Sequence, residues 1–129
     1  MARLAPLLVF LLLLGACGGG DDSAEVKQAV RDFVAATNAR DGNELCDHLV
    51  TQDYLEKATG ATGDKANDAC KQQLGLITGL KLRLLRVGEP KLDGDSATVR
   101  ATIAIGSQRT PRRFELQKED GDWKLASGS

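Results

Sequence analysis

Three cysteines, one histidine and a scatter of carboxylates carry most of the reactive chemistry of this 129-residue chain. A metal centre or a dithiol redox pair needs closely spaced ligands, but Cys17, Cys46 and Cys70 form no Cys-x-x-Cys motif and His48 is the sole histidine. No metal site and no cofactor are therefore expected. General acid–base catalysis would draw on His48 or Tyr54, with Arg112 to meet an anionic group. Each has a plainer role beside the chemical one. His48 sits beside Leu45 and Leu49 at helical spacing, as a histidine at the edge of a core does. Tyr54 suits the mouth of a pocket or the core edge, and Arg112, which shares strand parity with Phe114 and Leu116, suits a strand end solvated through its long stem. Asp53 reads as a helix-start acid rather than a base.

The role of the cysteines depends on how the chain begins. Residues 1–16 carry one charge, Arg3, and an unbroken apolar block from Leu7 to Leu14. A positive start, a short apolar run and small residues at its end are the parts of an export signal. The run is about half of the roughly 20 apolar residues that span a bilayer. It ends in Leu14-Gly15-Ala16-Cys17, which resembles the bacterial lipobox. That resemblance implies cleavage before Cys17, a diacylglycerol on its sulfur, and a protein held in the cell envelope outside the cytoplasmic membrane by a lipid anchor. Two or more acyl chains, at about 0.8 kcal/mol per buried CH₂, give stable attachment. Residues 17–22 are then the lipidated cysteine and a tether, and 23–129 a single folded domain.

With Cys17 lipidated, the even pair Cys46 and Cys70 remains. Two such cysteines in an oxidising compartment pair readily, and loop closure of this length is worth about 3 kcal/mol. The expectation is a structural disulfide.

The elements that must position these residues follow from periodicity. Asp22 and Glu25 stand at capping-box spacing before Val26, Val30, Phe33, Val34 and Thr37, which predicts an amphipathic helix over 23–39. Gly42 marks its break. Asp41 and Glu44 repeat the cap spacing ahead of a shorter helix carrying Leu45, Cys46, Leu49 and Val50 and ending near Thr51. A further turn of helix over 53–58 stops at the Gly60–Gly63 stretch. Asp64 caps a helix that lines up Ala66, Ala69, Cys70, Leu74 and Ile77.

From Leu80 the period becomes two. Leu80, Leu82 and Leu84 alternate with Lys81 and Arg83, with a bulge expected near Leu85 and a stop at Pro90. Asp93-Gly94 is a favoured turn. Ala97, Val99, Ala101, Ile103 and Ile105 then share one face, Gly106-Ser107 turns the chain, Phe114 and Leu116 point inward, and Asp120-Gly121 turns it again before Trp123 and Leu125. Pro111 belongs at a strand start or edge. The fold class is α+β: N-terminal helices packed on a curved four-stranded antiparallel sheet.

The stretches EVKQAVRDFVAATNARDGNELCDHLV, DKANDACKQQL, GDSATVRATI and RRFELQKEDGDWKLAS, in that order, resemble the NTF2-like superfamily, and more narrowly the small exported bacterial lipoproteins that carry this domain. The resemblance covers nearly all of residues 23–127. It implies a conical pocket between helices and sheet, used by different members for isomerisation, dehydration, ligand binding or protein association, so that function rests on the site. Core-facing positions offer almost no acid or base. A non-catalytic module binding a small apolar ligand or an envelope protein is the reading this favours. The alternatives are a small-pocket isomerase or dehydratase, which needs His48, Tyr54 or Arg112 to converge in one cavity, and a structural homodimer through the outer sheet face.

Charge separates along the chain. Residues 21–80 carry net −5 and residues 81–129 net +3. Lys81, Arg83, Arg100, Arg113 and Lys124 are expected on the outer sheet face, as a solvated surface or one that meets a partner or lipid headgroups. With near-neutral total charge and no stacked aromatics, nucleic acid is not an expected partner.

Overall fold

The computed structural model describes residues 20–128. The proposed export signal, Cys17 and the start of the tether lie outside them. The element order is α1 (Gly20–Ala39), α2 (Gly42–Glu44) running into one π turn (Leu45–Leu49), α3 (Gln52–Thr59), α4 (Asp64–Leu76), then β1 (Leu82–Val87), β2 (Lys91–Asp93), β3 (Ser96–Ile105), β4 (Gln108–Glu119) and β5 (Asp122–Gly128). None of the described helices is long and apolar enough to cross a membrane.

The apolar face expected for α1 is the face it buries: Val26, Val30, Val34 and Thr37 all lie in the interior. Its ends differ from expectation. The helix begins at Gly20, so Asp22 sits inside the first turns rather than capping them. Its carboxylate instead accepts from Trp123 Nε1 at 3.4 Å and pairs with Lys118 at 3.2 Å. The chain turns at Arg40, not Gly42, because Arg40 takes the left-handed conformation with φ 57°. Its guanidinium donates to the carbonyls of Thr37 (2.7 Å), Ile77 (2.6 Å) and Leu80 (3.0 Å), which satisfies the end of α1 and ties down the link from α4 to β1. Gly42 serves a close approach: a Cβ there would lie 3.1 Å from Lys71 Cγ.

Asp41 caps α2 as its spacing predicts, accepting from Glu44 N at 3.1 Å. The helix after it widens to a π turn and stops at Leu49, because Val50 turns extended to form a parallel bridge with Leu125. Thr51 then caps α3 through Tyr54 N. Gly63, not Asp64, holds the cap position of α4, with no side chain bonded there.

The sheet has five strands rather than four, in the order β1-β3-β4-β5 with β2 also beside β3. The first strand is broken at Gly88–Pro90: β1 ends before Pro90 as predicted, while β2, beyond the predicted stop, is an unexpected strand that pairs with the opposite end of β3. The bulge near Leu85 appears as a register shift between Leu84 and Arg86. The turns at Gly106-Ser107 and Asp120-Gly121 are as expected, whereas the first hairpin turns on Gly94-Asp95, one residue later than predicted. Ala97, Val99, Ala101 and Ile103 form the inner face with Phe114 and Leu116. Ile105, at the strand end beyond the helices, is 45% exposed. Four helical segments thus cover the inner face of an antiparallel sheet, and the buried hydrophobic residues other than Ala104 make one cluster.

Candidate functional site

The disulfide expected between Cys46 and Cys70 is present and joins the π turn to α4. It does not stand alone. Asp47 Oδ2 pairs with Lys71 Nζ at 2.9 Å, and Asn67 Nδ2 donates to Asp47 Oδ1 (3.0 Å) and to the Cys46 carbonyl (3.3 Å). Hydrogen bonds from Lys71 and then Asn67 hold the Asp47 carboxyl below the usual carboxylate range, against a smaller opposing effect of burial.

This stapled corner forms part of the wall of an apolar hollow of about 240 Å³ between α1, the π turn, α3 and α4. Phe33 and Thr37 enter from α1, Leu45 and Val50 from the segment after it, Tyr54 and Leu55 from α3, and Cys70, Leu74 and Ile77 from the end of α4. Among the described residues no carboxylate, imidazole, ammonium or guanidinium lines it. The Thr37 and Thr59 hydroxyls are already committed to the Phe33 and Leu55 carbonyls, each at 2.7 Å, so Tyr54 and Gln73 supply its remaining polar side-chain groups. Phe33 in turn rests on Phe114 of the sheet, ring centroids 6.2 Å apart, which carries the sheet's position to the hollow. Ile77, predicted inward, lies just past the end of α4 and is partly exposed at the hollow's edge.

The three residues singled out for acid–base chemistry do not share this hollow. Tyr54 lines it. His48 is exposed and lines a different, more open groove of about 600 Å³ between α1, the π turn and the β4–β5 turn, with Glu25, Asp32, Glu44 and Asp122. Arg112 is exposed on β4 opposite Ala101 and lines neither. Among the described residues no group of His, Cys, Asp and Glu is placed to hold a metal ion.

On the outer sheet face, Arg83, Arg100 and Arg113 are exposed as expected, but Lys124 is only 8% exposed and pairs with Glu119 at 3.8 Å. Sequence reasoning passed over Arg40 and Asn38 and read Asp22 only as a cap, whereas each has a partner far along the chain. Arg86 and Lys91 on the outer face were also missed, because the bulge and the broken strand change which side they face.

No family model and no curated protein matches the sequence. Solved structures do match the fold. A protein of unknown function with a cystatin-like fold from Nostoc punctiforme has TM-score 0.60 at 13% identity, covering 84% of this chain and 89% of that one. An NTF-2 like protein of unknown function from Shewanella oneidensis has TM-score 0.55 at 15% identity, over 83% and 96%. A putative scytalone dehydratase from Novosphingobium aromaticivorans has TM-score 0.53 at 18% identity, over 84% and 87%.

Proposed function

Starting from a chain with the NTF2-like, cystatin-like fold, we propose that it is an exported protein anchored to the membrane through lipidated Cys17, and that it binds a small apolar ligand without transforming it. The observation that carries the binding half is the lining of the 240 Å³ hollow: aliphatic and aromatic side chains with a few hydroxyl and amide groups and no charged group. Such a lining favours apolar matter through desolvation and has little with which to move a proton. The volume is below the roughly 300–1,000 Å³ common for drug-sized ligands, which limits the occupant to a small molecule. The anchoring half rests on the sequence Leu14-Gly15-Ala16-Cys17 after an apolar run.

A second reading, an isomerase- or dehydratase-like enzyme, draws on the Tyr54 hydroxyl in the hollow and on the fold shared with the putative scytalone dehydratase. It requires an acid or base to reach the ligand, and His48 faces the other groove.

Indole is a suitable probe. It should bind the purified protein by calorimetry, and Ala58→Trp, which fills the hollow from an exposed position of α3, should abolish binding while leaving circular dichroism unchanged. Equal binding by the variant would sink the assignment of the hollow. For the anchor, Cys17→Ser should end metabolic labelling with palmitate and release the protein from membranes, and persistent labelling would overturn it.

A further inference from the structure

The outer face of the sheet carries an electrostatic conflict. Arg100 on β3 stands directly opposite Arg113 on β4, and Arg86 on β1 lies diagonally across from Arg100 through the Arg86–Thr102 pair. Side chains directly opposite in an antiparallel pair approach to about 5 Å, and like charges placed so repel. Lys91, opposite Thr98, adds a fourth cation on the same face. All four are exposed.

Compensation within the described residues is slight. Arg113 has one exposed carboxylate, Glu115, at 3.5 Å. Glu89, an acid that lines the second hollow, is engaged by Lys27 of α1. Arg86, Lys91 and Arg100 form no ion pair among the described residues. Two adjoining hollows join these cations into one trough: Arg86, Arg100, Thr102 and Pro111 line the first, and Lys91, Thr98, Arg100 and Arg113 the second. Gly88 lies in both, and the chain passes so close to β3 there that its N–H donates to the Arg100 carbonyl at 2.7 Å and a Cβ would sit 3.1 Å from that oxygen. The broken strand thus sets the trough's shape. A row of cations of which three form no ion pair among the described residues is a local disagreement of the kind that marks function.

We propose that this trough docks on the anionic headgroups of a phospholipid bilayer, so that the protein lies with its outer sheet face against the membrane. This rests on the anchoring reading above. Three observations favour a headgroup layer over an acidic protein. Besides its charged residues, the trough is lined by threonine, proline, glycine and Ala101, with neither an aromatic nor a large aliphatic side chain of the kind that anchors a protein interface. Its four cations are spread across four strands, as suits a layer of charge. Glu89 in the trough is bonded to Lys27, seven residues from Gly20, which is about 10 Å along a helix. Cys17 precedes Gly20 by three residues, a length of chain of at most about 10 Å. Each basic residue near an anionic surface strengthens adsorption about fivefold.

The test uses the full chain mixed with vesicles of phosphatidylcholine alone or of an equal mixture with phosphatidylglycerol. Lys91 is footprinted with a membrane-impermeant amine reagent, with exposed Lys65 of α4 as internal control. Docking predicts that Lys91 labelling slows several-fold on the anionic vesicles alone, that high salt restores it, and that Arg86→Glu/Arg100→Glu restores it too. Equal Lys91 labelling of the native chain on both vesicle types overturns the proposal, with no variant needed. Equal protection by inorganic phosphate in solution would reassign the trough to a free anion, and protection by polyglutamate but not by vesicles would reassign it to an acidic protein. Flotation reads the anchor separately. Flotation on both compositions with equal Lys91 labelling overturns docking alone, flotation only with the anionic lipid overturns the anchor alone, and none overturns both.

Discussion

Lys71 Nζ lies 2.9 Å from Asp47 Oδ2, one residue beyond each cysteine of the Cys46–Cys70 bridge. The covalent and ionic links run side by side between the π turn and α4, and Asn67 of α4 adds hydrogen bonds to the Cys46 carbonyl and to Asp47 on the π turn. This corner holds Cys70 and Leu74 in the wall of the apolar hollow, so its stability and the shape of the hollow are coupled.

The disulfide closes a loop with 24 residues of sequence separation. Loss of that constraint on the unfolded chain should cost Cys46→Ser/Cys70→Ser about 3 kcal/mol by urea denaturation. Reductant should destabilise the native protein by a similar amount and leave the double variant unmoved. A variant as stable as the native protein would mean that the packing of α4 suffices.

Asp47 should impose an acid limb on stability. Its folded-state pKa is lowered by Lys71 first and then Asn67, so the unfolded chain binds a proton more readily. The contribution is complete above the unfolded value, about 3.9, and is lost as pH falls through the lower folded value. Asp47→Asn should therefore be less stable at pH 7, by about 1 kcal/mol given that both side chains are about a third exposed. The gap should close below about pH 4. Parallel urea curves across pH check this.

Asn38 stands in for a missing strand at the sheet edge. Its side-chain amide donates to the Leu82 carbonyl and accepts from the Leu82 N–H, both at 2.7 Å. Asn38→Ala leaves both backbone groups without partners and should cost about 1–3 kcal/mol. Amide exchange should speed up at Leu82 before it does in β3 and β4.

Arg40 separates backbone from side-chain effects. Both Arg40→Ala and Arg40→Gly remove its bonds to Thr37, Ile77 and Leu80, but only glycine accepts φ 57° freely. Alanine should be the more destabilising by about 1 kcal/mol. Equal losses would indicate that the turn relaxes.

Much of the fold was legible because it depends on neighbours in sequence. The valines of α1, the Asp41–Glu44 cap, the alternation from Ala97 to Ile103 and the Asp120-Gly121 turn all express spacings within a few residues. The pairing of Cys46 with Cys70 was legible once Cys17 was set aside. The broken first strand was not, since Pro90 marks a stop without saying that Lys91–Asp93 would rejoin β3.

The candidate site was less legible. His48, Tyr54 and Arg112 are of types that could act together, and spacing alone cannot say that they reach three separate surfaces. Lys124 has the parity of a solvated outer residue, yet it is covered and paired with Glu119.

Most element types, two of the three hairpin turns and the apolar faces were settled by the order of residues, because each reflects backbone preference and periodicity over one or two turns of chain. Which polar groups meet was settled by folding. Asn38 and Leu82 are 44 residues apart, and Asp22 and Trp123 are 101 apart, distances over which local preference carries no information. The apolar hollow and the basic trough belong to this second kind, for each exists only where segments distant in the chain are packed side by side.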